Sequence, residues 1–383
     1  MRPAITTGML LLGGLALGSC AKAPDAGDEA AARDARIARI HEGYVWVDMH
    51  GHPSRFHRAN LDKIEPAELE RYRRGHMDLL VANVSSDAAL QGGYTQRDST
   101  EVPRLRGDSV YPLKPGEGFA FTLDRLDRIF KTVVDGDAVL ADSPASVLEA
   151  KRQGKIAVMA ALEGVDGLEG NLDNLREVHR RGVRLVQLMH FLHNEVGHKQ
   201  TAPYIDEGLT EHGREFVREA NRLGMIVDLA HANTPTLMGA LEVSSQPMIF
   251  SHTGVKARHG GDRDVTDEEI QAIAAKGGII GIWPSESLGT IAEMVAHIEH
   301  VKKLVGVDHV GIGSDLRGMS YIPAFGEEAN FRAIVEGLID AGYTDDEIGK
   351  VMGGNFFRLW EQVTTAAAAL GDEHSAGGTG RLP

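Results

Sequence analysis

Apolar positions along this chain gather into eight short runs: VWVDMHGH, LLVANV, IAVMAALEG, VRLVQLMH, MIVDLAH, PMIFSH, GIIGIW and HVGIGSD. Runs of this length and composition suit strands buried on both faces. Between them lie helical stretches with recognisable starts. In TDEEIQAIAAKGG, Thr266 and Glu269 form a capping box and Gly277 closes the helix, and Thr344 with Glu347 repeats the device in TDDEIGKVM. Further helices are expected over 172–181, 211–223, 290–304 and 327–341. Strand and helix thus alternate through most of the chain, which favours a parallel sheet. Eight strands predict an α/β fold of the closed (β/α)8, TIM-type barrel kind. The open doubly wound alternative lacks support, because no GxGxxG follows the first strand and no Walker-type loop occurs.

Six of the eight runs end on residues that bind metals or move protons: His50 with His52, Glu163, His190, His231, His252 and Asp315. A parallel barrel collects the carboxyl ends of its strands on one rim, where its active site is built. A metal site is therefore expected at that rim. His50 and His52 are two apart, so an extended strand puts both on one face, where two imidazoles can grip one cation. That spacing alone also fits a solvated turn. Glu163 closes an apolar run in which a carboxylate is costly without a cation or several donors, and its two oxygens could bridge two metals. His231 and His252, on successive strands, supply a second pair of nitrogens.

Composition sets the outer limits. With 383 residues, 42% hydrophobic and 25% charged, the chain can bury one large core, and 41–366 is assigned to a single barrel domain. A formal charge of -15 and a pI near 5.6 disfavour a nucleic-acid partner. The single cysteine, Cys20, excludes an internal disulfide or a thiolate zinc site. It follows MRPAITTGMLLLGGLALGS, which reads as a signal peptide over 1–19. Leu17-Gly18-Ser19-Cys20 resembles a bacterial lipobox. That resemblance implies cleavage before Cys20, lipidation of its sulfur, and an exported lipoprotein anchored to a membrane and facing the periplasm. Residues 20–40 read as a tether running into a first helix, 85–118 as a long rim loop, and the Gly-rich 367–383 as a disordered tail.

The ordered motifs resemble the membrane (renal-type) dipeptidase family of zinc metallopeptidases, within the amidohydrolase-like barrels. The resemblance runs from Val45 to Trp360. It rests on ALEG around Glu163, GVRLVQLMH ending in His190, GLTEHGREFVREANRLGMIVDLAHANTPTLMGALEVSSQPMIFSHT, DRDVTDEEI around Arg263, VGIGSD ending in Asp315, and GGNFFRLW. It implies a dipeptidase with two divalent ions, Zn2+ by analogy, that direct an activated water at the peptide bond. His50 and His52 would hold the first ion, Glu163 would bridge, and His231 with His252 would hold the second. His190 would sit against the scissile carbonyl and Arg263 would take the substrate carboxylate. Asp315 would contact the amine and handle the proton. A homodimer stays open alongside a monomer.

Two departures stand out. The family usually has His-x-Asp where this chain has His50-Gly51-His52, and Leu316 and Arg317 replace the residues expected after Asp315. They keep two alternatives open: a related amidohydrolase acting on other amides, β-lactams or lactones, and an inactive metal- or peptide-binding lipoprotein. Asp48 and Asp228 read as buried, hydrogen-bonded acids behind the ligands. His193 and His198 read as rim residues, His57, His76, His179, His212 and His259 as surface residues, and Trp46, Trp283 and Trp360 as core.

Overall fold

The computed structural model describes residues 26–55, 61–90 and 113–371. Its parallel strands are β1 (Val47–Gly51), β2 (Leu79–Ser85), β3 (Val139–Leu140), β4 (Ala157–Glu163), β5 (Val183–Gln187), β6 (Ile226–Asp228), β7 (Ile249–Thr253), β8 (Ile279–Ile282) and β9 (Val310–Ile312). All but β3 follow one another in the order β1-β2-β4-β5-β6-β7-β8-β9, and β3 pairs with β4 off that path. The ring closes at its upper edge. Gly51 bridges Leu316, His52 N donates to Leu316 O at 2.8 Å, and Asp315 N donates to His50 O at 2.8 Å. The eight expected strands thus form the expected barrel; β3, two residues long, was not foreseen.

Two apolar clusters divide the core. Alternate strand residues, among them Val47, Met49, Val81, Met159, Ala161, Ile226 and Ile279, pack inside the barrel, and Phe356, Leu359 and Trp360 of the last helix belong to the same cluster. The intervening residues, such as Leu80, Val158, Val186 and Phe250, pack outwards against the helices. Period-two alternation is therefore apolar on both faces, which is why these strands read as continuous runs.

The helices start where their caps require. Thr266 and Thr344 each complete a capping box, with Glu269 and Glu347. The helix Glu211–Leu223 is capped by Thr210 and ends at Gly224, whose φ of 72° only glycine adopts without cost. Helices over Pro66–Arg74, Glu117–Val134, Pro144–Arg152 and Thr234–Val243 fill places for which no boundaries were expected. The helix expected over 327–341 spans Phe331–Asp340 behind a short turn at Glu328–Asn330.

Two boundaries move. Helix Ala26–Gly43 crosses the limit drawn at residue 40 and packs on the barrel through Ile37 and Ile40, with Arg33 paired to Asp340 at 2.7 Å and Arg36 to Asp345 at 2.6 Å. Helix Asn355–Gly371 takes in 367–371 from the expected tail, because the alanine run over 366–369 favours helix strongly enough to continue it. Cys20, the signal peptide and the remaining tail lie outside the described residues, as do 91–112 of the rim loop. No described helix is long and apolar enough to cross a membrane.

Met49 reaches across the barrel interior towards the backbones of β8 and β9. A Cβ at Gly281 would stand 2.6 Å from Met49 Cε and closer still to the Ser251 carbonyl, whereas one at Gly311 meets mainly the flexible Met49 thioether, at 2.7 Å. Gly281→Ala is accordingly expected to cost about 3 kcal/mol or more and Gly311→Ala about 1 kcal/mol. Urea denaturation of the two variants checks that order, and equal costs would contradict the packing argument.

Candidate functional site

Glu163 ends β4 at the centre of the rim, with a side chain 2% exposed. Ser85 Oγ donates to its Oε2 at 2.8 Å. Four imidazoles surround it: His50 Nε2 at 3.3 Å, His52 Nε2 at 3.4 Å, His190 Nε2 at 3.2 Å and His231 Nε2 at 3.6 Å. His252 Nε2 is 3.1 Å from His231 Nε2, and Asp315 Oδ1 is 3.1 Å from His52 Nε2. Arg263 donates through one terminal nitrogen to His252 Nε2 at 3.0 Å and through the other to the Gln200 side chain. All eight rim residues singled out from the sequence therefore meet in one cleft.

Local backbone irregularities aim several of these side chains. Between Asp48 and Gly51 the register of β1 against β2 slips by one, so Met49 packs inside the barrel while its neighbour His50 also reaches Glu163. A similar slip in β7 between Phe250 and Thr253 brings both Ser251 and His252 against His50, at 3.2 Å from Ser251 Oγ and 4.0 Å between ring centroids. Bulges of this kind re-aim side chains next to sites. His231 and Asp315 sit at φ of 68° and 49°, a left-handed backbone that costs energy in non-glycine residues and gathers at functional sites.

The supporting contacts were mostly missed from sequence. Asp87 is fully buried; its Oδ1 lies 2.8 Å from His190 Nδ1 and its Oδ2 accepts the Phe191 backbone N–H at 3.2 Å. The second apolar run ends without chemistry only if it is stopped at Val84, since Ser85-Ser86-Asp87 follow at once. The run GIIGIW likewise ends on Trp283, whose ring lies 5.8 Å from that of His252 and 5.6 Å from the Arg263 guanidinium. Trp283 is thus a wall of the site as well as a largely buried residue, whereas Trp46 and Trp360 are core. Asp228 accepts the Ala230 and Ser251 amides, and Asp48 takes the Ser314 amide and hydroxyl at 2.8 and 2.6 Å. Arg317 turns to Glu328 at 2.6 Å. His193 and His198 pair with each other at 3.3 Å in the loop after β5. His259 is at the surface, but His76, His179 and His212 are half-buried, and His57 lies outside the described residues.

Charge divides the cleft. Burial would raise the Glu163 carboxyl, but the charges of His190 and His52 outweigh it and hold the acid well below the usual carboxylate range. Burial opposes a charge on His52, yet Glu163 and Asp315 push it up to about 9. Asp87 and Glu163 raise His190 against the same opposition. His231 and His252 are pressed far down, by burial first and then by Arg263 and neighbouring histidines. Burial also lowers Arg263, to about 10.

These residues fit a divalent cation. Two neutral imidazoles whose Nε2 atoms face each other at 3.1 Å can place only one hydrogen between them, and a shared cation accepts both lone pairs. His231 Nδ1 and Asp228 Oδ2 are buried without hydrogen-bond partners, leaving polar capacity unspent around the cluster. Among the described residues the metal-capable groups are His50, His52 and Asp315; His50, Asp228 and His252; and Glu163, His231 and His252. Nitrogen and oxygen donors without thiolate suit zinc and its neighbours.

An eight-stranded parallel barrel with histidines gathered round a buried rim carboxylate is a metallohydrolase-type barrel. The chain belongs to the membrane dipeptidase family, peptidase family M19, whose model matches residues 34–374. It is 34% identical over 257 residues to Dipeptidase tcpJ of Claviceps purpurea (strain 20.1), covering 64% of this chain and 60% of that protein. Against Dipeptidase aclJ of Aspergillus oryzae (strain ATCC 42149 / RIB 40) it is 33% identical over 230 residues, covering 57% of this chain and 54% of that one. The chain thus spans little more than half the length of these two relatives. Its fold matches that of the probable dipeptidase PvdM from Pseudomonas aeruginosa, with a TM-score of 0.74, 20% identity, and 88% and 99% of the two chains covered. It also matches a metallo peptidase from Rhodobacter sphaeroides liganded with a phosphinate mimic of the dipeptide L-Ala-D-Ala, with a TM-score of 0.70, 20% identity, and 84% and 99% covered.

The opposed shifts carry a signature in metal-free protein. The raised pKa of His52 means that its stabilisation is complete below the unfolded value of 6.5 and is lost as pH rises towards about 9. The depressed His231 and His252 act in the opposite sense, withdrawing stability as pH falls through 6.5. In chelator, the stability advantage of wild type over His52→Gln should shrink by roughly 3 kcal/mol from near-neutral to alkaline pH. Urea denaturation across that range measures it, and a constant difference would count against the charged His52.

Proposed function

We propose that this protein is a metal-dependent dipeptidase that uses two divalent cations, Zn2+ by the chemistry of the donors, and cleaves dipeptides bearing a free C-terminal carboxylate. The observation that carries this reading is the polarity of the cleft: a guanidinium at one side, Arg263 beside His252, and a carboxylate at the other, Asp315 beside His52, with Glu163 and its histidines between. A zwitterionic dipeptide presents the matching charges, carboxylate to Arg263 and ammonium to Asp315. His50 and His52 would hold one cation and His231 and His252 the other, with Glu163 shared.

Cations so held supply Lewis acidity, polarising the peptide carbonyl and making water more acidic. This chain's own residues do the rest. Asp315 accepts a proton from the attacking water and returns it to the leaving amine. His190, whose pKa Asp87 and Glu163 raise against burial, is placed to donate a hydrogen bond to the oxygen on which negative charge develops. Arg263, held by Gln200, fixes the substrate carboxylate and so the register of the scissile bond. His52 replaces an oxygen donor with a nitrogen, which removes a negative charge from the site and lowers its affinity for hard cations.

Glu163→Gln is expected to lose metal and turnover together, whereas Asp315→Asn should keep its metal and lose about 10²- to 10⁴-fold in kcat. Arg263→Ala should raise KM for dipeptides more than for a neutral amide. Metal analysis beside a panel of L,L and L,D dipeptides tests this. A zinc-loaded protein that cleaves no dipeptide but opens lactones or β-lactams would favour the amidohydrolase alternative. The lipobox supports a further part of the reading, a periplasm-facing lipoprotein held through Cys20. Cys20→Ser should shift the protein from the membrane fraction to the soluble one, and an unchanged membrane fraction would remove the anchor.

A further inference from the structure

The two oxygens of Asp87 hold two consecutive residues: one faces the His190 ring at 2.8 Å, the other takes the Phe191 amide at 3.2 Å. A fully buried carboxylate thereby fixes a side chain that points outward. Phe191 is 37% exposed, while His190 and His231 beneath it are 7% and 4% exposed. Its ring lies against His190 at 3.9 Å between centroids with a tilt of 35°, and edge-on to His231 at 5.4 Å. Among the described residues the other large exposed apolar side chains are Val134, Leu148 and Tyr204, and Phe191 is the one stacked on the rim histidines. Stacked on the rim histidines, the Phe191 ring presents an apolar surface beside the cleft to whatever enters it.

The geometry points to Phe191 as a specificity-determining residue that forms the wall for the side chain of the substrate's C-terminal residue, and it favours bulky apolar side chains there. This rests on the dipeptidase reading above. The side of the substrate follows from the neighbours of Phe191. His231, under its ring, accepts the Gln200 backbone N–H through its carbonyl at 2.7 Å, and the Gln200 side chain holds Arg263. Phe191, His231, Gln200 and Arg263 thus run along the carboxylate side of the cleft. Asp315, which would meet the amine, is tied to His52. A substrate stretched between Arg263 and Asp315 with its scissile carbonyl at His190 turns its C-terminal side chain towards Phe191.

The test uses the metal-loaded holoenzyme and dipeptides that differ only at the C-terminal position, Ala-Gly and Ala-Phe. In wild type, kcat/KM should favour Ala-Phe. In Phe191→Ala that preference should fall by at least about tenfold, as loss of an apolar contact of this size allows, with an intermediate value in Phe191→Leu. Metal content and melting temperature are measured on the same samples, so that a damaged fold is not read as lost selectivity. A preference unchanged within twofold, or equal losses on both peptides, overturns the proposal while leaving the peptidase reading intact. Absence of turnover of either peptide by loaded wild-type enzyme overturns the peptidase reading and the subsite with it.

Discussion

One buried charge organises the rim of this barrel. Glu163 is almost wholly removed from water, and an isolated carboxylate in that position would be prohibitively costly. It is tolerated because strand ends from around the ring turn polar groups towards it: His50 and His52 after β1, Ser85 from β2, His190 after β5 and His231 after β6. Two of those groups, His190 and His50, are held in turn. Asp87 holds His190, and Ser251 lies against both His50 and His252. Removing the carboxylate would leave several histidines facing one another with like charges or clashing lone pairs, so the cleft depends on it electrostatically as well as sterically.

The second constraint is the backbone. A regular strand can present only alternate residues to the barrel interior, and a cluster this dense needs more than alternate residues. Register slips in β1 and β7 and the left-handed turns at His231 and Asp315 supply the extra inward positions. Both slips lie in the carboxyl-terminal halves of their strands, beside the cleft. The price in backbone energy falls where the chemistry is.

The residue at position 52 alters the balance of the cleft. An aspartate there would add to the negative charge of Glu163 and Asp315; a histidine between those two acids instead becomes cationic when no metal is present. A proton on that nitrogen and a cation would compete for the same lone pair, so any cation uptake through His52 would depend on pH. His231 and His252 are pressed the other way, towards the neutral form, by burial first. The two sides of the cleft thus carry opposite tendencies to hold a proton.

Hydrophobic runs, capping boxes and the order of reactive residues were enough to assign the barrel, its eight ring strands and seven residues of the cleft, because each is written in local periodicity or at a strand end, whereas Arg263 came only from the family resemblance. Boundaries failed where local propensity ran on past a change in composition, as at 367–371. The sequence could not reveal Asp87 as the partner of His190, Gln200 as the partner of Arg263, or Trp283 beside His252, since each pairing joins positions far apart in the chain. Nor could it foresee that Met49 and His50 both face inward, because strict alternation forbids it and only the slip against β2 permits it. Sequence alone determined the reactive strand-end residues of the rim. Tertiary structure decided which way they point and what each one meets, because register, bulges and charge compensation exist only once the ring has closed.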